Sequence, residues 1–229
     1  MQFLAVQASA FATWINNTFA GFDMGAWELF GKLHSQGMTS FVQVLTKFGD
    51  TEAAVAVAVL GLILLIPKKT RKYGATLFLA IGIGTLLTNV LFKPLISRPR
   101  PYVSLADNPV FMKLYNEAGA LTESDYSFPS GHTTSACEIA TALFANVKKK
   151  SVKWIFPVYA ILIACSRIYL CVHYCTDVIG GAVIGILAGI LAYYVVKALK
   201  NLFDNSGKNK EKKKAQKLDE LEVVNGSDK

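Results

Sequence analysis

Apolar positions along this chain arrive in runs too continuous for the alternation of a half-buried strand or the one-sided stripe of a soluble helix. From Thr51 a nearly unbroken run reaches Ile66 and is closed by Pro67 and the cluster Lys68-Lys69-Thr70-Arg71-Lys72. A second runs from Tyr73 to Phe92, a third from about Thr133 to Val147, a fourth from Val152 to Val172 and a fifth from Val178 to Val196. Each approaches the roughly 20 residues that cross a hydrocarbon layer, the first and third with the help of polar flanking residues. The pattern predicts an all-α fold, a polytopic membrane helical bundle of five to six transmembrane helices. The sixth would come from Phe3 to Phe22, which Gln7, Asn16 and Asn17 interrupt and no charge precedes. That is not the form of a signal peptide, and the stretch reads as a poor first span or a helix lying in the interface. Asp23 to Asp50 mixes polar residues with Trp27, Phe30, Phe41 and Phe48 at roughly helical spacing, which predicts a non-spanning amphipathic helix with its aromatics at the headgroups.

Three parts follow: membrane-associated or interfacial helices over 1–50, a membrane domain over 51–200, and a disordered cytoplasmic tail over 201–229, lysine-rich and then acidic. With 52% hydrophobic and 17% charged residues, the chain is too apolar for an ordinary soluble domain. Its net charge of +8 does not point to nucleic acid, because the basic residues sit in short clusters between apolar runs and form no basic reading face. They act instead as topology signals. The clusters at 68–72, at 148–153 and after Lys197 fall on one side of the membrane if the five runs alternate in direction, and the positive-inside rule makes that side cytoplasmic.

The opposite, extracytoplasmic side then receives three polar stretches. Lys93 to Pro101 has the form K-x6-R-P, Pro129-Ser130-Gly131-His132 opens the third run, and Ser166 to Asp177 has the form S-R-x5-H-x3-D. Lys93, Arg100 and Arg167 can replace the water around a phosphate ester, with Arg forking onto two oxygens and Lys acting as a point charge. Ser130 and the Gly131 N–H add neutral donors at a helix start. His173 and Asp177, four apart, can form an Nδ1–H to carboxylate bond that leaves Nε2 free as a nucleophile, and His132 is left to protonate the departing oxygen and then activate water. Arg98 reads as an interfacial arginine reaching to headgroups, and His34 has no such partners. Cys137, Cys165, Cys171 and Cys175 make no zinc-type pair and no carboxylate cluster suits Mg2+, so neither metal nor cofactor is expected. The loop Tyr102 to Tyr126, carrying Asp107, Glu117, Glu123 and Asp125 and a short helix around Val110 to Ala118, is the candidate lid or selectivity loop. Gly181-x3-Gly185-x3-Gly189 reads as a close-packing ridge.

The three stretches, in this order, resemble the motifs of the type 2 phosphatidic acid phosphatase (PAP2) superfamily of lipid phosphatases, over about Thr51 to Lys200. The resemblance implies the same roles: His173 as nucleophile, Asp177 as its orienting partner, His132 as acid, and the lysine and arginines as phosphate clamp. It also implies a metal-independent reaction on a lipid phosphate held in the bilayer, with undecaprenyl diphosphate preferred and phosphatidylglycerophosphate or phosphatidate as the alternatives. Lipid A or other headgroup phosphates are a related reading. The chain departs from the commoner third motif, which has Gly and Pro where Cys171 and Cys175 stand. An anion transporter would be expected to show inverted repeats and broken helices in both halves, and a non-catalytic lipid-binding relative to have lost a histidine. Oligomeric state stays open.

Overall fold

The computed structural model describes residues 8–226, with side chains described through residue 206. Positions 3–7 of the predicted Phe3 to Phe22 run therefore lie outside the described residues. The chain divides into two units, Met1–Tyr193 and Tyr194–Lys229. The fold is all-α, as the apolar runs require.

Helix α1 spans Ala10–Gly31 and is capped by Ser9, whose hydroxyl accepts the Ala12 N–H. It corrects the boundary expected at Asp23, because one helix carries straight through that residue and buries Ala12, Ile15, Asp23 and Trp27. Trp27 is a core residue, not a headgroup anchor: it packs on Phe111 and Tyr174 at ring-centroid distances of 4.6 and 5.3 Å. Helix α2 (Gln36–Thr46) and a 3-10 turn (Lys47–Gly49) lead into α3 (Thr51–Leu64).

Helix α4 (Arg71–Thr85) continues through a π-helical turn, Leu86–Phe92, into α5 (Lys93–Ile96). Ser97, at φ 50° in the left-handed region, then stops the helix ahead of Pro99. Short helices α6 (Pro101–Ser104) and α7 (Pro109–Glu117) form the expected loop, the latter close to the span read from the sequence. Next come α8 (Gly131–Asn146), α9 (Lys150–Lys153), α10 (Ile155–Tyr169) and α11 (Cys175–Gly226).

Among the described residues, three stretches are long and apolar enough to cross a membrane: Arg71–Ser104, Lys150–Tyr169 and Cys175–Ser206. This is a multi-span membrane protein, but two of the five runs give shorter helices than expected. At 1.5 Å per residue, α3 and α8 rise only about 21 and 24 Å, less than the roughly 30 Å of hydrocarbon. In the second unit, residues 201–226 are helical and include many Lys, Glu and Leu residues, which favour helix.

Helix α8 is the centre of the first unit, packing against α4 on one side and α10 on another. Its contact with α11 depends on the glycine ridge. A Cβ at Gly181 would stand 2.5 Å from the Ser130 carbonyl oxygen, and one at Gly185 2.4 Å from that of Thr134. Close approach of these backbones brings the start of α8 against the start of α11, which is where the polar motifs meet.

Candidate active site

Backbone hydrogen bonds join the three motifs. The Ser127 N–H donates to the Arg98 carbonyl at 2.8 Å and the Ser130 N–H to the Asp177 carbonyl at 3.1 Å. Segment 97–100 is not helical, and side chains two apart there can be sent to different surroundings. Arg100 reaches the cavity, whereas Arg98 goes into the protein.

His173 lies in the short link between α10 and α11 and is 1% exposed. Its Nδ1 faces Asp177 Oδ2 at 3.3 Å and its Nε2 faces Arg100 Nη1 at 2.8 Å. A carboxylate can only accept and a guanidinium only donate, so these neighbours select the tautomer with hydrogen on Nδ1 and a lone pair on Nε2. Burial, then the nearby Arg100, Arg167 and Lys93 charges, push the imidazole well below its ordinary pKa and keep it neutral. A neutral, oriented imidazole is what a nitrogen nucleophile requires.

Asp177 is fully buried and held from several sides. Arg98 Nη1 donates to Oδ1 at 2.5 Å, while the Tyr174 N–H, at 3.1 Å, and the Ser127 hydroxyl donate to Oδ2. Arg98 in turn is 0% exposed, donates to Asn16 and Thr176 at 2.8 and 2.7 Å, pairs with Asp23 at 3.2 Å, and stacks on the Tyr174 ring at 3.5 Å. This corrects the reading of Arg98 as a headgroup arginine. It is the counter-ion of two buried carboxylates, and α1 is tied to the His173 link through it and through the Trp27 indole, which donates to the His173 carbonyl at 3.1 Å.

On the other side of His173 is a polar cavity of about 270 Å³ whose walls include Lys93, Arg100, Gly131, His132 and His173. The π-helical turn places Asn89 and Lys93 on that wall, a use to which such widened turns are often put. Lys93 Nζ and Arg100 Nη2 both pair with Asp125, and Arg100 also donates to the Asp125 and Val172 carbonyls at 3.0 and 2.9 Å. Of the residues expected at the site, Ser130, Arg167 and Asp177 are not on the wall. Ser130 is fully buried, and its hydroxyl accepts the N–H and O–H of Thr133 at 3.4 and 3.0 Å as the cap of α8. Arg167 is buried, bonds Thr46 Oγ1 at 2.8 Å, and pairs with Glu123.

His132, in the first turn of α8, has Nε2 against Asp50, the residue that precedes α3. That hydrogen bond holds the Asp50 carboxyl below its usual range, despite partial burial. The sequence held no marker for Asp50, because its partner lies 82 residues away. Asp23 and Trp27 were missed for the same reason. His34 sits apart, facing the Tyr169 carbonyl at 3.0 Å. The Cys171 backbone has φ 53°, which accounts for Gly being the commoner residue there, and Cys175 opens α11, where Pro is well suited. Among the described residues, no three His, Cys, Asp or Glu side chains are arranged to hold a metal ion.

Comparison with known proteins places these features in context. Residues 73–201 match the sequence model of the PAP2 superfamily. The chain is 29% identical over 172 residues to undecaprenyl-diphosphatase BcrC of Bacillus subtilis, covering 75% of this chain and 81% of that one. It is 32% identical to a lipid A 4'-phosphatase of Porphyromonas gingivalis, but this match covers only 53% of the chain and half of the relative. Among solved structures, the PAP2-type phosphatidylglycerolphosphate phosphatase of Bacillus subtilis superposes with a TM-score of 0.63 at 27% identity, over 83% of this chain and 90% of that one.

Proposed function

The chain belongs to the PAP2 superfamily of membrane lipid phosphatases, and we propose that it removes a terminal phosphate from a polyprenyl diphosphate, undecaprenyl diphosphate above all, at the extracytoplasmic face. The observation that carries the chemistry is the His173 imidazole, held by Asp177 with its Nε2 lone pair turned to the cationic cavity. In the first step Nε2 forms a bond to phosphorus, the bond from phosphorus to the leaving oxygen breaks, and His132 gives that oxygen a proton. In the second, His132 takes a proton from water, the water oxygen attacks phosphorus, and the P–N bond breaks to release orthophosphate. Lys93, Arg100 and Arg167 balance the charge on the phosphoryl oxygens in both steps. Asp177 stabilises the positive charge that His173 acquires.

The outward site rests on the lysine clusters at 68–72, 148–153 and after 197. The substrate choice is supported by BcrC, whose match spans most of both chains. Purified full-length protein in EDTA, given undecaprenyl diphosphate, phosphatidylglycerophosphate, phosphatidate and lipid A, should release phosphate with the highest kcat/KM from the diphosphate. Release from none of them would overturn the reading, and a clear preference for phosphatidylglycerophosphate would move the enzyme to phospholipid synthesis.

A further inference from the structure

The cations of the clamp already carry carboxylates. Lys93 and Arg100 share Asp125, and Arg167 holds Glu123. The two acids lie two residues apart in the loop after α7, and their side chains are 47% and 30% exposed, whereas the three cationic side chains are 9% exposed or less. A carboxylate presents two anionic oxygens in the fork that a guanidinium also uses to bind phosphate, so these acids hold positions that phosphoryl oxygens would take. Asp125 stays ionised at any working pH: burial alone would raise its carboxyl, but Arg100 and Lys93 outweigh this and hold it at about 2.

Building on the phosphatase reading, we propose that Asp125 and Glu123 are specificity-determining residues that compete with phosphate for the clamp, so that the site admits phosphoryl groups with two negative charges, rejects phosphodiesters and expels orthophosphate. Three cations against two acids leave one positive charge. A dianion that displaces both acids restores that balance, whereas a diester monoanion leaves a further buried cation uncompensated, which is costly in a largely desolvated site. The discrimination matters in a bilayer, whose surface is crowded with phosphodiester headgroups.

The geometry couples entry to chemistry. Arg100 uses Nη2 on Asp125 and Nη1 on the His173 Nε2 lone pair, so a ligand that draws Arg100 away from Asp125 also uncovers the nucleophile. The Tyr102 hydroxyl donates to the Glu123 carbonyl at 3.0 Å and accepts its N–H at 2.9 Å, fixing the loop backbone while the carboxylates exchange.

Phosphorus NMR line broadening on the purified full chain in detergent reads this directly, with orthophosphate and dimethyl phosphate as probes at alkaline pH, where the former is a dianion and the latter a monoanion. The double variant Asp125→Asn, Glu123→Gln should bind orthophosphate at least about tenfold more tightly than wild type, about 1.4 kcal/mol. It should also bind dimethyl phosphate, which wild type should ignore, while Asp125→Glu keeps the wild-type response. Each single variant should show part of the gain and decides the matter if the double variant fails to fold. Orthophosphate binding equal to or weaker than wild type in the neutralised variants, or an Asp125→Glu protein that behaves like Asp125→Asn, would overturn the proposal. No lipid turnover enters the readout, so tighter orthophosphate binding in a protein that hydrolyses no lipid phosphate would sink the proposed activity and leave this inference standing.

Discussion

Carboxylates flank the His173 imidazole on two sides, and they are held in opposite ways. Asp177, behind it, is fully buried and accepts from Arg98, Ser127, Tyr174 and His173. Asp125, in front, is half exposed and touches only the cations that a phosphate would need. Burial and the number of partners set what each can do. An acid locked by that many donors cannot leave, and serves to orient. An acid at a solvent-open edge can be exchanged for a ligand of the same charge. The site therefore joins a fixed rear wall, built with the help of α1, to a replaceable front.

Breaking the rear wall should have the largest effect. His173→Ala should reduce phosphate release to background, and Asp177→Asn should lower kcat by about ten-thousandfold while leaving a residue of activity, as expected when an imidazole loses the support of its carboxylate. Full activity of His173→Ala would remove the basis for the comparison. Behind it, Arg98→Ala leaves Asp23 and Asp177 buried without their cation, and thermal or denaturant unfolding should show a loss of about 3–5 kcal/mol. A change within about 0.5 kcal/mol, typical of a surface residue, would return Arg98 to the headgroups.

The leaving-group side comes next. His132→Ala should cost about a hundredfold to ten-thousandfold in kcat/KM on a lipid substrate but far less in kcat/KM on an activated aryl phosphate, whose oxygen departs without a proton. Asp50→Asn should reproduce that selectivity at smaller size, about tenfold or less, because Asp50 only positions His132. Equal losses on both substrates would make the pair a binding element. The smallest signal concerns charge. Since burial and three cations depress the His173 pKa, its nitrogen NMR shifts should remain those of the neutral Nδ1–H form as pH falls through 6.5. A protonation midpoint at or above that value would mean that the cations do not govern the imidazole.

The motif residues around the site were legible in the sequence, and the residues of the first 50 positions that hold them were not. Lys93, Arg100, Ser130, His132, His173 and Asp177 stand in short motifs whose spacing carries meaning, and the alternation of apolar runs was enough to bring those motifs to one face. Capping chemistry also located Ser130 at the start of α8. Asp23, Trp27 and Asp50 belong to the first 50 residues, where their neighbours give no pattern. Their roles come from partners such as Thr176, Phe111 and His132, far away along the chain. Arg98 was misread because charge near an apolar run ordinarily goes to the interface, and only tertiary structure shows a buried pair of carboxylates waiting for it. Helix length failed at α3 and α8 because hydropathy counts residues, whereas the helix ends are set by caps and turns.

The central claim is that phosphate passes through His173 Nε2, and it can be tested by quenching the full-length protein within its first turnovers in EDTA and mapping acid-labile phosphate by mass spectrometry. The account predicts phosphohistidine at His173, at higher occupancy in His132→Ala given an activated aryl phosphate, where attack by water is slowed but departure of the leaving group is not. Phosphate released by wild-type protein with no label at His173, or with the label on another residue, would contradict it.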